Sequence, residues 1–362
     1  MHADEIVDLF AGPGGLDVAA HQLGIPVVGI EWDINACRTR CAAELNTKYE
    51  DVRKYGPSGF PNATVLAGGP PCQTYTVAGS GAGRRALDDV LGFAERMAKG
   101  EDVTSDLALL KDERTGLVLE PLRWALEAIE LKRPYKAIVL EQVPAVLPVW
   151  EVVGEILKRK NYSVAHGVLR AEEFGVPQTR RRAVLIARFD GKAVLPNATH
   201  RPYRKGVPRT EGDQRLLPWV TMGDELDRQE PFVVVSNYGT GGDPRARGRR
   251  NSSEPAATVT GKISRNRVVT NNGDEAPRFT NAEAGQLQTF PLDYPWAGKD
   301  IAQQIGNAIP PRLATHVLAA TLDLEAELLE KVISEKEKWR ETLRKRNGIA
   351  HSCDICSSAV TE

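Results

Sequence analysis

Short apolar runs punctuate the first half of the chain: Ile6-Val7-Asp8-Leu9-Phe10, Pro26-Val27-Val28-Gly29-Ile30, Val65-Leu66-Ala67 and Lys136-Ala137-Ile138-Val139-Leu140. Runs of this length without strict alternation read as strands buried on both faces, the habit of parallel sheets covered by helices. Stretches with helical spacing follow them. Helices are expected from the turn at Gly12 through about Leu23, over 35–45, over 116–131 and over 152–159. In the third, Leu117, Leu119, Leu122, Ala125, Leu126 and Ile129 face the sheet and Pro134 closes the element. Further strands are expected around 162–169 and 183–187. From about Asp190 to Pro277 this rhythm stops. Pro, Gly, Asn and Arg dominate there, with brief strand-like runs at Phe232-Val233-Val234-Val235 and Arg267-Val268-Val269-Thr270. Helical patterning returns at 280–289 and again from Arg312 to about Leu343. The expectation is an α/β protein with a doubly wound, mostly parallel sheet in residues 1–190 and a smaller irregular β-rich domain in 191–277. A return segment, 278–322, completes the first domain, and a C-terminal helix and tail occupy 323–362.

Composition changes this picture in two places. A length of 362 residues suffices for one large and one smaller core. A net charge of −1 excludes a uniformly basic coat for nucleic acid, so any such function must be local. It is local: the irregular region carries Arg201, Arg204, Lys205, Arg209, the cluster Arg245, Arg247, Arg249 and Arg250, and then Lys262, Arg265 and Arg267. Together these make a basic module suited to phosphates. Five cysteines without a regular framework and an N-terminus without a charged-then-apolar leader point to a reducing cytoplasm. No apolar run approaches the roughly 18 residues of a membrane span. Cys37 and Cys41 share one face of their helix and are expected to pack; Cys353-x-x-Cys356 stands alone in the tail, and no metal site is expected.

Candidate chemistry collects at the carboxyl ends of the apolar runs, where open α/β sheets bind their ligands. After the first run comes Ala11-Gly12-Pro13-Gly14-Gly15, a turn that exposes backbone N–H groups and a helix N-terminus to a ligand. After the second comes Glu31-Trp32-Asp33, with a carboxylate where a ribose diol is gripped and a flat indole beside it. Asp51-Val52 lies at the edge of the same pocket. After the third comes Gly68-Gly69-Pro70-Pro71-Cys72, a turn that core packing does not need and that presents a thiol. After the fourth comes Glu141, a candidate proton donor if desolvation raises its pKa. Gln178-Thr179-Arg180-Arg181-Arg182 enters a strand, so Arg180 and Arg182 should aim together at one ligand and Arg181 away from it. The polar segment from Tyr75 to Glu113 is long enough for a lid.

In this order the motifs Asp8-x-Phe10-x-Gly12-x-Gly14, Pro70-Pro71-Cys72-Gln73, Glu141-x-Val143, Gln178-x-Arg180-x-Arg182 and Gly306-Asn307 resemble those of the DNA (cytosine-5)-methyltransferase family. The resemblance spans most of residues 5–190 and 278–322, and Gln142 stands where the family has Asn. It implies S-adenosylmethionine as cofactor. Phe10, Ala11, Gly12, Gly14 and Gly15 would hold its adenine and methionine ends and Glu31 its ribose. Trp32 and Val52 would cover the adenine and Asp51 would meet its amino group, while Pro71, Leu117, Asn307 and Ala308 would complete the pocket. It further implies Cys72 as nucleophile toward carbon 6 of a flipped cytosine, Glu141 at ring nitrogen 3, Arg182 at the carbonyl oxygen, and Arg180 supporting Glu141 or a phosphate. Gln178, Arg245, Arg247, Arg249, Arg250, Lys262 and Arg265 would contact double-stranded DNA. The expected protein is a bacterial or phage monomer, solitary or partnered with a cognate restriction endonuclease. Transfer-RNA cytosine methylation and a non-catalytic DNA-binding regulator are the alternatives. A nicotinamide-dependent oxidoreductase is disfavoured because the third glycine of its fingerprint falls at Asp17.

Overall fold

A computed structural model describes residues 4–71, 75, 86–237, 247–335, 338–344 and 352–354. The apolar runs form β1 (Ile6–Leu9), β2 (Val27–Glu31), β3 (Thr47–Tyr49), β4 (Val65–Gly68) and β5 (Ala137–Gln142), all parallel to one another. β6 (Ser163–Arg170) follows. After a two-residue β7 (Gln178–Thr179), β8 (Arg181–Arg188) slots antiparallel between β5 and β6. The sheet order is β3-β2-β1-β4-β5-β8-β6, with its switch point between β1 and β4. Successive side chains on one strand enter different layers. Leu66 packs with Trp124, Val149, Trp150 and Ile156 on one face, while Val65 and Ala67 pack with Leu16, Ala19, Leu313 and Val317 on the other. A strand buried on both faces has no polar side to show, which is why these runs do not alternate.

Helix α1 (Gly15–Gln22) and helix 311–322 cover the second face together, so the chain's late return closes the layer over its first helix. Helix α2 (Ile34–Ala42) is capped by Asp33, whose carboxylate accepts the N–H groups of Asn35 and Ala36 at 2.9 Å. Asp17 and Arg40 form a fully buried ion pair at 2.7 Å between α1 and α2, and Arg40 also donates to the Thr47 hydroxyl and the Asn46 carbonyl. That pair explains an acid where a dinucleotide fold has glycine.

The later region builds a second sheet, β10-β9-β12-β13, from β9 (Phe232–Val235), β10 (Arg249–Asn251), β12 (Arg267–Thr270) and β13 (Glu275–Ala276). The short β11 (Ala256–Ala257) pairs with β7 and so stitches this region to the large sheet. Its core includes Phe232, Val234, Val259 and Val268, and also Ala284, Leu287 and Ile305 from helices 281–287 and 301–307.

Three expectations about elements are corrected. The expected lid is packed from residue 87 onward: helix 87–98 buries Val90 and Ala94 in the main core, and residues 76–85 lie outside the described set. The expected helix 116–131 begins as a 3-10 turn at Glu113–Leu119, with the α-helix running from Glu120 to Glu130. The expected helix 312–343 breaks at Asp323, whose φ of 54° is left-handed, and resumes as 326–334 and 339–344. Trp339 then turns inward, packs with Leu45, Phe290 and Tyr294, and donates its indole N–H to the Ala43 carbonyl at 3.1 Å. Among the described residues no helix is long and apolar enough to cross a membrane.

Candidate active site

The carboxyl ends of β1, β2, β4 and β5 open onto one cavity of about 270 Å³. Phe10 leaves β1 with a left-handed φ of 64°, a conformation that costs a bulky residue free energy and here begins the glycine turn. Gly14 is needed twice over: its φ is 105°, and a Cβ there would lie 2.4 Å from the Leu45 side chain. Gly15 is needed for contact, since a Cβ would meet the Ile309 carbonyl at 2.2 Å. The return segment is therefore pressed onto the turn, through the Ile309 backbone and through the Tyr294 hydroxyl, which donates to the Pro13 carbonyl at 2.5 Å.

Glu31 organises this turn. Its carboxylate accepts from the Gly12 N–H at 2.7 Å, the Trp32 N–H at 2.9 Å and the Asp33 N–H at 2.8 Å. Burial nevertheless raises its pKa against those hydrogen bonds. Trp32, half exposed, lines the cavity with Ala11, Asp51, Val52, Pro71, Leu117, Asn307 and Ala308. Asp51 is held by the Arg53 guanidinium at 2.6 Å, which keeps its pKa low despite partial burial. The Asn307 side-chain oxygen accepts from Gln303 at 2.6 Å.

Across the cavity lies Glu141. Because β8 runs antiparallel to β5, its amino end rises to the rim where the other strands finish, with Val184 opposite Glu141 and Ala183 opposite Gln142. This register sets the Arg182 Nε 2.6 Å from the Glu141 carboxylate, both side chains nearly buried. Gln142 points the other way and donates to the Pro70 carbonyl while accepting from the Val143 N–H. It thus ties the Pro70-Pro71 turn to the strand end that carries Glu141. Cys72 lies outside the described residues. Pro71 before it lines the cavity, and Tyr75 after it is fully buried with its hydroxyl donating to the Thr115 carbonyl at 3.2 Å.

Two candidates are placed elsewhere. Arg180 does not join Arg182 on a ligand: it is 1% exposed, between β7 and β8, and donates to the carbonyls of Val259 at 3.0 Å, Gly306 at 3.1 Å and Ala308 at 3.0 Å. Gln178, expected at DNA, is wholly buried, donates to the Leu287 carbonyl and the Gln288 side chain at 2.7 Å, and accepts from the Val259 N–H. Both residues join the strand entry to the small sheet and the Asn307 turn. Of the basic candidates, Arg249, Lys262 and Arg265 are exposed and Arg247 is half-buried. Arg250 lies over the Tyr203 ring at 4.6 Å and 3.7 Å from Glu254, and Arg245 lies outside the described residues. Lys262 follows Gly261, whose N–H would lie 2.3 Å from a Cβ on Gly306, so its turn abuts the helix bearing Asn307.

The residue pattern did not single out Asp8 by itself as a site group. It is buried at the cavity floor, and burial, then the Asp17 carboxylate, hold it well above the usual carboxylate range. An acid inside an apolar run was the available signal. Arg40 carried no signal at all.

Solved structures locate this architecture among known folds. It superposes on the S. pombe Dnmt2 methyltransferase with a TM-score of 0.58 at 16% identity, covering 88% of this chain and 98% of that one. The Entamoeba histolytica methyltransferase EhMeth gives 0.57 at 14% identity, covering 89% and 99%. The fold is therefore the Rossmann-like fold of the methyltransferases. Residues 5–94, 109–209 and 228–322 match the C-5 cytosine-specific DNA methylase family, and the chain belongs to it as a DNA cytosine-5 methyltransferase. Among its relatives, the Type II methyltransferase M1.HphI of Haemophilus parahaemolyticus is 28% identical over 355 residues, 88% of this chain and 86% of that protein. The Type II methyltransferase M.HgiDI of Herpetosiphon aurantiacus is 28% identical over 331 residues, 85% and 91%.

Proposed function

We propose that the protein uses S-adenosylmethionine to methylate carbon 5 of a cytosine turned out of a DNA duplex, with Cys72 as covalent nucleophile. The observation that carries this is the Glu141–Arg182 pair, set at 2.6 Å beside the Pro70-Pro71 turn and in the same cavity as Glu31 and the glycine turn. The residues present fit the cofactor. A Cβ on Gly12 would have no atom within 4 Å, leaving its turn open to a ligand; Glu31 and Asp51 offer carboxylates to a ribose and an amino group, and Trp32 offers a ring face. When bound, that cofactor supplies an electrophilic methyl group.

The chain's own residues do the rest. Carbon 5 of cytosine is too electron-poor to react unaided. The Cys72 thiolate adds to carbon 6, and the ring electron pair is pushed toward carbon 5 while Glu141 holds a proton at nitrogen 3. Arg182 serves the carbonyl oxygen and keeps Glu141 oriented. Carbon 5 takes the methyl group, loses its proton, and expels Cys72 with the ring restored. A stacked base cannot enter the cavity, so the target leaves the duplex at a cost of a few kcal/mol. Arg249, Lys262 and Arg265 offer cations to the phosphates, and residues 191–277 supply target recognition. The protein works as a cytoplasmic monomer, alone or beside a cognate restriction endonuclease.

The test is expression in a host lacking cytosine methylation, followed by bisulfite sequencing of host DNA. A methylated motif that Cys72→Ala abolishes, with cofactor binding intact, supports the proposal. Unmodified DNA from a folded, cofactor-binding protein overturns it for DNA and directs the same assay to RNA.

A further inference from the structure

Asn307, the last residue of helix 301–307, lines the cavity from the return segment. Its backbone is held from behind. Arg180 donates to the Gly306 and Ala308 carbonyls at 3.1 and 3.0 Å, and the Gln288 side-chain amide donates to the Ile305 and Ala308 carbonyls at 2.6 and 3.2 Å. What these bonds leave free to turn is the Asn307 side chain, which is exposed. An asparagine amide can show a ligand either of two edges, its N–H donors or its acceptor oxygen. Gln303 decides between them. One helical turn earlier on the same face, its Nε2 donates to the Asn307 Oδ1 at 2.6 Å, and among the described residues no other group is hydrogen-bonded to that amide. With the oxygen engaged, the N–H edge is the one left for the cavity.

Gln303 is itself held by the irregular region. A Cβ on Gly261 would fall 2.1 Å from the Gln303 Oε1 and 2.6 Å from its Cδ, so the end of this side chain rests on the bare backbone of the 260–262 turn. Turn and helix also meet backbone to backbone: a Cβ on Gly306 would lie 2.3 Å from the Gly261 nitrogen and 2.4 Å from the Thr260 carbonyl carbon. The Gln303 side chain thus spans from a turn outside the cavity lining to Asn307 within it. We propose that Gln303 is a positioning residue for the methyl donor: through it the Gly261 turn, next to Lys262, holds Asn307 with its N–H edge toward a cofactor whose amino-acid end carries a carboxylate acceptor. The inference rests on S-adenosylmethionine being the cofactor. Its consequence is that a one-carbon change at Gly261, in the region assigned to target recognition, reaches cofactor affinity.

The experiment titrates the full chain with S-adenosylmethionine in a calorimeter, without DNA. Gln303→Leu removes the donor. Gly261→Ala, at a position whose φ is not left-handed, pushes the flexible end of Gln303 aside. Each should weaken binding about 2- to 10-fold, the range spanned by one hydrogen bond in competition with water. Two double variants trace the route: Gly261→Ala with Gln303→Leu should bind no more weakly than Gln303→Leu alone, and Gln303→Leu with Asn307→Ala no more weakly than Asn307→Ala alone. 5′-Methylthioadenosine, which lacks the amino-acid end, should bind Gln303→Leu and wild type alike. Should Gly261→Ala fail to fold, the Gln303–Asn307 pair carries the test by itself. Wild-type affinity in folded Gln303→Leu overturns the proposal, as do losses that add in full in its double variant with Asn307→Ala. An equal loss for both ligands marks a merely structural role and overturns it too. A wild-type chain that binds 5′-methylthioadenosine but no S-adenosylmethionine overturns the cofactor reading itself, and this inference with it.

Discussion

Arg180→Leu is the sharpest perturbation of the site, because an arginine entering a strand beside Arg182 invites a catalytic or phosphate-binding role that the fold denies it. Its guanidinium donates to three carbonyls, of Val259, Gly306 and Ala308, at 3.0–3.1 Å, and its 1% exposure leaves no route for water to take over. A buried acceptor stripped of its donor costs about 1–3 kcal/mol. Three that share one donor relax together, so the loss should total about 3–5 kcal/mol, a large share of a typical stability of about 5–15 kcal/mol. Arg180→Lys keeps the charge but replaces a planar fork with one point donor, so it should fall between wild type and Leu. Urea unfolding followed by circular dichroism reads the stability, and DNA affinity across a salt series reads the alternative. The folded fraction of Arg180→Leu should keep the wild-type slope of log affinity against log salt, since a lost phosphate contact would flatten it by about 0.9. Unfolding at the wild-type midpoint with a flattened slope would refute the structural role.

Three further outcomes follow from other contacts. Gln142→Ala cuts the tie between the Pro70 carbonyl and the Glu141 strand end; a buried hydrogen bond of about 1–3 kcal/mol corresponds to roughly 5–150-fold in single-turnover methylation rate, with cofactor affinity measured by calorimetry unchanged. Arg40→Met strands the buried Asp17 carboxylate and should cost about 3–5 kcal/mol, whereas the double variant with Asp17→Leu should recover most of it; a double variant no better than the single would show that the pair is not the source. His200 and His316 are held neutral, each pushed down to about 4, first by burial and then by neighbouring positive groups. The unfolded chain therefore binds more protons below the ordinary histidine pKa of about 6.5, so stability is full above that pH and falls as pH drops toward 4, by up to about 3 kcal/mol for each histidine. His316→Gln should flatten that fall in denaturation midpoints measured from pH 7 to 4.5.

Much of the molecule is written locally. A strand buried on both faces must be apolar throughout, so β1, β2, β4 and β5 announce themselves, and a ligand rim at their carboxyl ends follows from the parallel α/β rhythm. Glu31, Glu141, the glycine turn and the Pro70-Pro71 turn were legible because each directly follows such a run. What depends on pairing between distant segments was not. Period-two alternation puts Arg180 and Arg182 on one side of an ideal strand, but β7 ends before Arg180 and pairs with β11, so a donor that looked ligand-facing closes a joint between two sheets. Arg182 faces Glu141 only because β8 runs antiparallel to β5, a direction that residue pattern does not encode. Asp17 registers in the sequence as a missing glycine; its partner Arg40 comes from another helix. Cys353 read as part of a loose tail, and only the return of residues 352–354 to β3 places it against the sheet edge. Local pattern decides which residues are buried and where strands stop, whereas partner, direction and register are settled by the joint packing of segments far apart in the chain.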